Sequence, residues 1–78
     1  MNIEEKVLSI IRANTEEAAQ VRLQSDLRQE LRLDSFGTLM VINALEDAFG
    51  IALEDGEFSR VRTVADVVAV LQSKYHCA

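Results

Sequence analysis

Apolar residues return along this chain at helical spacing in three places. Ile3, Val7, Ile10 and Ile11, with Leu8 at the border, form a stripe running to about Ala13 or Asn14. Asn2 precedes it as a cap, and Glu4 and Glu5 fall in the first turn, where the helix dipole favours negative charge. The second pattern, residues 33–50, predicts a helix of about four turns. Asp34 and Ser35 start it, and Gly50, able to take the left-handed conformation, stops it. At about 100° per residue this helix has two apolar faces where a surface helix has one. Thr38, Val41, Ile42, Leu45 and Phe49 cluster on the side assigned to the core, while Phe36, Leu39, Met40, Asn43 and Asp47 fall opposite. The second face, apolar with a polar and acidic end, points to a partner; the alternative is a central helix covered all round by the others. The third pattern starts at Thr63, with Asp66 three residues on as an approximate capping box. Val64, Val67, Val68 and Leu71 form its core stripe, and it ends near Ser73 to Tyr75. Valines are poor helix formers, so packing must hold this helix more than propensity does.

Residues 15–34 form a connection too long for a plain turn. Thr15-Glu16-Glu17-Ala18 has helix-start character, Ser25-Asp26-Leu27 resembles a cap with one short turn, and Val21, Leu23, Leu27, Leu31 and Leu33 are placed to pin the loop to the core. After Gly50, Ile51 and Leu53 continue inward, and residues 54–60 read as a polar turn leading into a very short helix with Phe58 buried. With no proline and no Asn-Gly or Asp-Gly hairpin between alternating runs, strands are not supported. The expected fold is all-α: a small four-helix bundle, three helices longer and one short, with a long loop between the first and second.

Seventy-eight residues, 49% of them hydrophobic, make a single domain over residues 1–78 with one modest core. No apolar run reaches the length of a membrane span, and Met1-Asn2-Ile3-Glu4-Glu5-Lys6 lacks the basic start and apolar stretch of a signal peptide. A cytosolic protein without membrane insertion is expected. The formal net charge is −5, and residues 46–57 alone supply five acids (Glu46, Asp47, Glu54, Asp55, Glu57) with no Lys or Arg. Before them, Lys6, Arg12, Arg22, Arg28 and Arg32 nearly offset seven acids. An acidic patch beside the second apolar face argues against nucleic acid and anionic membrane, and for partners with basic surfaces. The plainer reading is a solvated surface that aids solubility.

One His and one Cys, adjacent at His76-Cys77 near the C-terminus, leave no metal-ligand set and no nucleophile with a base. They read as a frayed tail. The carboxylate pairs Glu4-Glu5, Glu16-Glu17 and Glu46-Asp47 are ordinary helix-surface features, so catalysis by this chain alone is not expected. Ser35 differs. A hydroxyl at a helix start is most often a cap, yet this one follows an acid, precedes an apolar residue and opens the doubly apolar helix. A phosphodiester attached there would sit near free backbone N–H groups at the positive end of the dipole.

These residues resemble an acyl carrier protein. Asp34-Ser35-Phe36 is similar to that family's Asp-Ser-Leu signature, and the likeness continues through Leu45-Glu46-Asp47-Ala48-Phe49-Gly50-Ile51, Phe58 and Thr63-Val64-Ala65-Asp66. It reaches back through Ser25-Asp26-Leu27 to the first helix and so covers nearly the whole chain. The resemblance implies that Ser35 receives 4′-phosphopantetheine from coenzyme A through a separate phosphopantetheinyl transferase, with Asp34 helping to position the Mg²⁺-bound substrate. Acyl groups would ride as thioesters on the arm's thiol, leaving Cys77 without that role. The second helix would be the recognition element, with Phe36, Leu39, Met40, Asn43, Glu46 and Asp47 meeting partner enzymes, and the carrier would be a monomer.

The departures are informative. Fatty-acid carriers usually have acids where this chain has Gly37 and Met40, a Gly in place of Arg32 and a Pro in place of Ala52. A specialised carrier is therefore favoured over the housekeeping one. Gly37-Thr38, Phe49-Gly50-Ile51 and Glu57-Phe58 also look like the D-alanyl carrier group, which holds an activated amino acid on the same arm. Gly37 lowers helix propensity by up to about 1 kcal/mol relative to Ala, so a mobile first turn is expected. Three readings stand: an acyl carrier in fatty acid, lipid or polyketide-type biosynthesis, an aminoacyl carrier, and an unmodified helical interaction module that docks or dimerises through Phe36, Leu39 and Met40.

Overall fold

The computed structural model describes residues 2–77. Helix α1, Ile3–Ala13, begins where the Asn2 side chain accepts the Glu5 N–H at 2.8 Å. It buries Ile3, Val7 and Ile11, with Leu8 and Ile10 packed at the margin. Helix α2, Ser35–Phe49, is stopped by Gly50 at φ 64, the left-handed conformation read from the sequence. Helix α3, Val64–Ser73, opens on a reciprocal capping box between Thr63 and Asp66 and buries Val64, Val67, Val68 and Leu71 as expected. α1 packs against both of the others.

The all-α expectation is met, with the short fourth helix reduced to a single 3₁₀ turn, Glu57–Ser59, that buries Phe58. A further 3₁₀ turn, Ala18–Gln20, lies in the long loop. Neither turn has enough apolar positions in register to extend into an α-helix. Among the described residues there is no strand; one isolated antiparallel bridge joins Asp26 to Thr63.

That bridge shows how 15–34 is held. Leu27 N–H donates to Arg62 O at 2.9 Å, Val64 N–H to Ser25 O at 3.2 Å and Ala65 N–H to Leu23 O at 2.7 Å, so the loop is zipped onto the entrance of α3. Val21, Leu27, Leu31 and Leu33 are buried anchors and Leu23 packs beside them. The cap expected within Ser25-Asp26-Leu27 is Asp26: its carboxylate accepts the Arg28 and Gln29 N–H groups at 2.9 and 2.8 Å. Ser25 is instead buried, its hydroxyl donating to Gln20 O at 2.6 Å.

The tail is anchored rather than frayed. Cys77 N–H donates to Leu71 O at 2.9 Å, and Tyr75 and Cys77 pack against the core. The Tyr75 hydroxyl accepts the Glu54 N–H and donates to Glu57, each at 3.0 Å, and Lys74 Nζ reaches Glu57 at 3.0 Å and Glu54 as well. A polar terminus of this composition signals nothing of the kind, because both acids lie some twenty residues earlier in the chain.

Lys74 and then Tyr75 hold the Glu57 carboxyl below its ordinary 4.5. The Gln29 N–H and Arg62 lower Asp26, and the Arg62 and Thr63 N–H groups lower Asp66, both from 3.8. Glu54 and then Glu57 raise Lys74 above 10.5. Depressed carboxylates stabilise the fold above their unfolded values and lose that contribution as pH falls through the folded ones; a raised lysine contributes below its unfolded value and loses it as pH rises through the folded one. Thermal melts should therefore give a Tm that is flat from about pH 5 to 10, falls below about pH 4 and falls again in strong alkali.

Candidate functional site

Asp34, and not Ser35, caps α2: its carboxylate Oδ1 accepts the Gly37 N–H at 2.7 Å while Thr38 N–H donates to the Asp34 carbonyl at 2.8 Å. Both residues lie at the helix start as expected, but the capping role that a hydroxyl most often takes there falls to Asp34. Ser35 is the first helical residue and is exposed, so its hydroxyl is released from capping and presented at the positive end of a fifteen-residue helix. The N–H groups of Ser35 and Phe36 have no intrahelical acceptor, as at any helix start.

The predicted outward face is found in solvent. Phe36, Leu39 and Met40 are 70, 52 and 41% exposed, with Asn43 and Asp47 exposed beside them and Glu46 half-buried. On the other side Val41 and Leu45 are buried, and Thr38, Ile42 and Phe49 are partly buried. The alternative of a helix covered all round fails on these residues.

Two hollows flank Ser35. One, about 630 Å³, runs between α2 and the second 3₁₀ turn and is lined by Arg28, Ser35, Leu39, Ile42 and Phe58 among others. It meets a second stretch that shares Leu39, Ile42 and Phe58 and continues to Glu46 and Leu53. The other hollow, about 610 Å³, lies between the end of α1 and Asp34, with Arg32, Leu33, Phe36 and Gly37 in its wall.

Gly37 has a steric reason. A Cβ there would stand 3.2 Å from the Leu33 side chain and 3.3 Å from the capping carboxylate, so even alanine would press on the cap. Arg32 sits at φ 55, in the left-handed region that suits glycine. The Gly usual at this position in fatty-acid carriers was the signal in the sequence for that geometry. Arg32→Gly should raise stability by about 1 kcal/mol, read as a higher denaturant midpoint at unchanged m.

The acidic patch is smaller than its composition implies. Glu57 turns inward to Lys74 and Tyr75, Glu54 shares Lys74, and Glu46 accepts the Leu53 N–H at 2.8 Å. Counting charge within residues 46–57 missed a lysine delivered by α3. The exposed acids that remain beside the apolar face are Asp47, Glu54 and Asp55.

An exposed hydroxyl at a helix N-terminus, with backbone donors beside it and an apolar groove leading away, fits a covalently attached phosphodiester arm. The family of the phosphopantetheine attachment site matches residues 5–71. A curated relative, the acyl carrier protein of Rickettsia bellii (strain RML369-C), is 32% identical over 68 residues, spanning 86% of this chain and 79% of the relative. Fold and family match define a phosphopantetheine-dependent carrier domain, whose covalent cofactor is 4′-phosphopantetheine. The chain belongs to the acyl carrier protein family. No helix among the described residues is long and apolar enough to cross a membrane.

Proposed function

We propose that this chain carries acyl groups as thioesters on a 4′-phosphopantetheine arm attached to Ser35, in fatty acid, lipid or polyketide-type biosynthesis. It acts as the substrate of separate enzymes and does no chemistry of its own. The observation that carries the assignment is Asp34 taking the cap, which leaves the Ser35 hydroxyl exposed as a nucleophile for a transferase to use. The bound arm supplies the thiol that holds the acyl group. Phe36, Leu39 and Met40 form the centre of the partner face, and Asn43, Glu46 and Asp47 extend it, so partner enzymes present an apolar socket with basic residues at its edge.

Incubation with coenzyme A, Mg²⁺ and a broad-specificity phosphopantetheinyl transferase should raise the intact mass by one arm. Asp34→Asn keeps a capping acceptor but removes the charge. It should leave Tm unchanged and slow arm transfer if Asp34 positions the metal-bound substrate. Unchanged transfer would confine Asp34 to the cap.

The apolar groove lined by Leu39, Ile42, Leu53 and Phe58 favours an acyl cargo over an amino acid. The likeness of Gly37-Thr38 to D-alanyl carriers keeps the second reading in view. Offering the holo protein to acyl-activating and aminoacyl-adenylating enzymes separates them, since exclusive loading with alanine would overturn the acyl assignment.

A further inference from the structure

Arg28 projects from the long loop, yet its guanidinium ends on the opposite wall of the groove. Nη1 donates to Val61 O at 2.8 Å and Nη2 to Phe58 O, across 33 and 30 residues of sequence. The side chain lines the groove together with Ser35, Leu39, Ile42 and Phe58. Its backbone is fixed in turn by Asp26, whose carboxylate accepts the Arg28 N–H at 2.9 Å and the Arg62 Nε–H at 3.0 Å. Residues 57–59 make only one 3₁₀ turn, so the carbonyls at its exit lack the donors that a continuing helix would bring. A planar fork of donors supplies both at once in a fixed geometry, which the single ammonium of a lysine on its flexible stem would hold less rigidly.

Phe58 is buried and belongs to the core as well as to the groove wall. On the buried side of α2, Val41 and Leu45 are fully excluded from solvent. A cargo growing from Ser35 thus meets a filled floor, and it gains depth only if Phe58 withdraws. Swinging residues 58–61 away from α2 would break both of the Arg28 hydrogen bonds.

Resting on the carrier reading above, we infer that Arg28 is a specificity-determining residue: it latches residues 58–61 against α2 and limits the length of acyl chain the groove accepts. Short chains lie along Leu39 and Ile42, and long chains are left in solvent or handed directly to a partner. The cation acts through the two carbonyls and not by touching the cargo's reacting carbon.

The test has two parts, read on Arg28→Met and on the milder Arg28→Lys. In the unmodified protein, Arg28→Met should speed hydrogen exchange at the Ser59 and Arg60 amides about tenfold, with Arg28→Lys between it and the wild type and with α1 amides unchanged. The proteins are then loaded with butanoyl- or dodecanoyl-phosphopantetheine and compared by NMR. Butanoyl should shift Leu39 and Ile42 alike in all three. Dodecanoyl should shift Phe58 and Val61 strongly in Arg28→Met, less in Arg28→Lys and not in the wild type. Unchanged exchange at Ser59 and Arg60 would remove the latch, and equal entry of dodecanoyl in wild type and variant would remove the length limit even if exchange rises. Failure of any arm to attach to the wild type would overturn the carrier reading instead, while the exchange measurement still decides whether Arg28 holds the segment. Should Arg28→Met not fold, the Arg28→Lys comparison decides both points.

Discussion

Ser35→Ala should abolish arm attachment and every acyl transfer that depends on it, while Tm stays within about 2 °C of the wild type. The two halves of that outcome have separate physical causes. Stability is spared because the residue satisfying the first turn of α2 is Asp34, through Gly37 N–H at 2.7 Å. Ser35 is one position inside the helix and exposed, where alanine is at least as good a helix former. Function is lost because the reacting hydroxyl is gone: of the other hydroxyls lining the groove, that of Ser59 lies on the facing 3₁₀ turn and donates to Gly56 O at 2.6 Å. Thr38, which also lines the groove, is half-buried one turn further along. A helical interaction module that needs no arm predicts the reverse on the second count, full function in Ser35→Ala, and a complementation assay distinguishes the two.

Leu45→Ala should be the most damaging single truncation in α2. Leu45 is completely excluded from solvent and sits with Val41 on the buried face of α2, the helix that packs against α1. Removing three buried carbons leaves a cavity that a backbone capped at both ends closes only in part, at a cost of about 3 kcal/mol. A domain of this size has roughly 5 to 10 kcal/mol in total, so Tm should drop by more than about 10 °C. Leu39→Ala, on the same helix but half exposed, should cost less than about 1 kcal/mol and weaken partner binding instead. Urea melts of the two variants test the division of α2 into a core face and a docking face. Equal losses would contradict it.

That α2 would have one buried and one exposed apolar face was readable from periodicity alone, because a helix in a chain this short has one core to bury against and a second apolar stripe must emerge. The helix ends were equally readable: Asn2, Asp34, Gly50 and the Thr63/Asp66 pair each have a local reason to stop or start a helix, and each does so. What escaped was non-local. Glu57 looked like one more surface acid, and nothing near it in sequence announces that Lys74 and Tyr75 will bury it. Arg28 looked like one more loop cation until Phe58 and Val61 were brought under it. The assignment of the cap to Asp34 and of an exposed hydroxyl to Ser35 lies between these cases. Both residues are good caps, and only the register of the first turn chooses between them.

The measurement that bears most directly on the account is the position of the arm. After treatment with coenzyme A and transferase, proteolysis and tandem mass spectrometry should place a single phosphopantetheine on the peptide containing Asp34-Ser35-Phe36, at Ser35 and nowhere else. An adduct on another serine or on Cys77, or an unmodified protein after exposure to several transferases, would contradict it and leave α2 as a docking helix whose exposed face serves some other end.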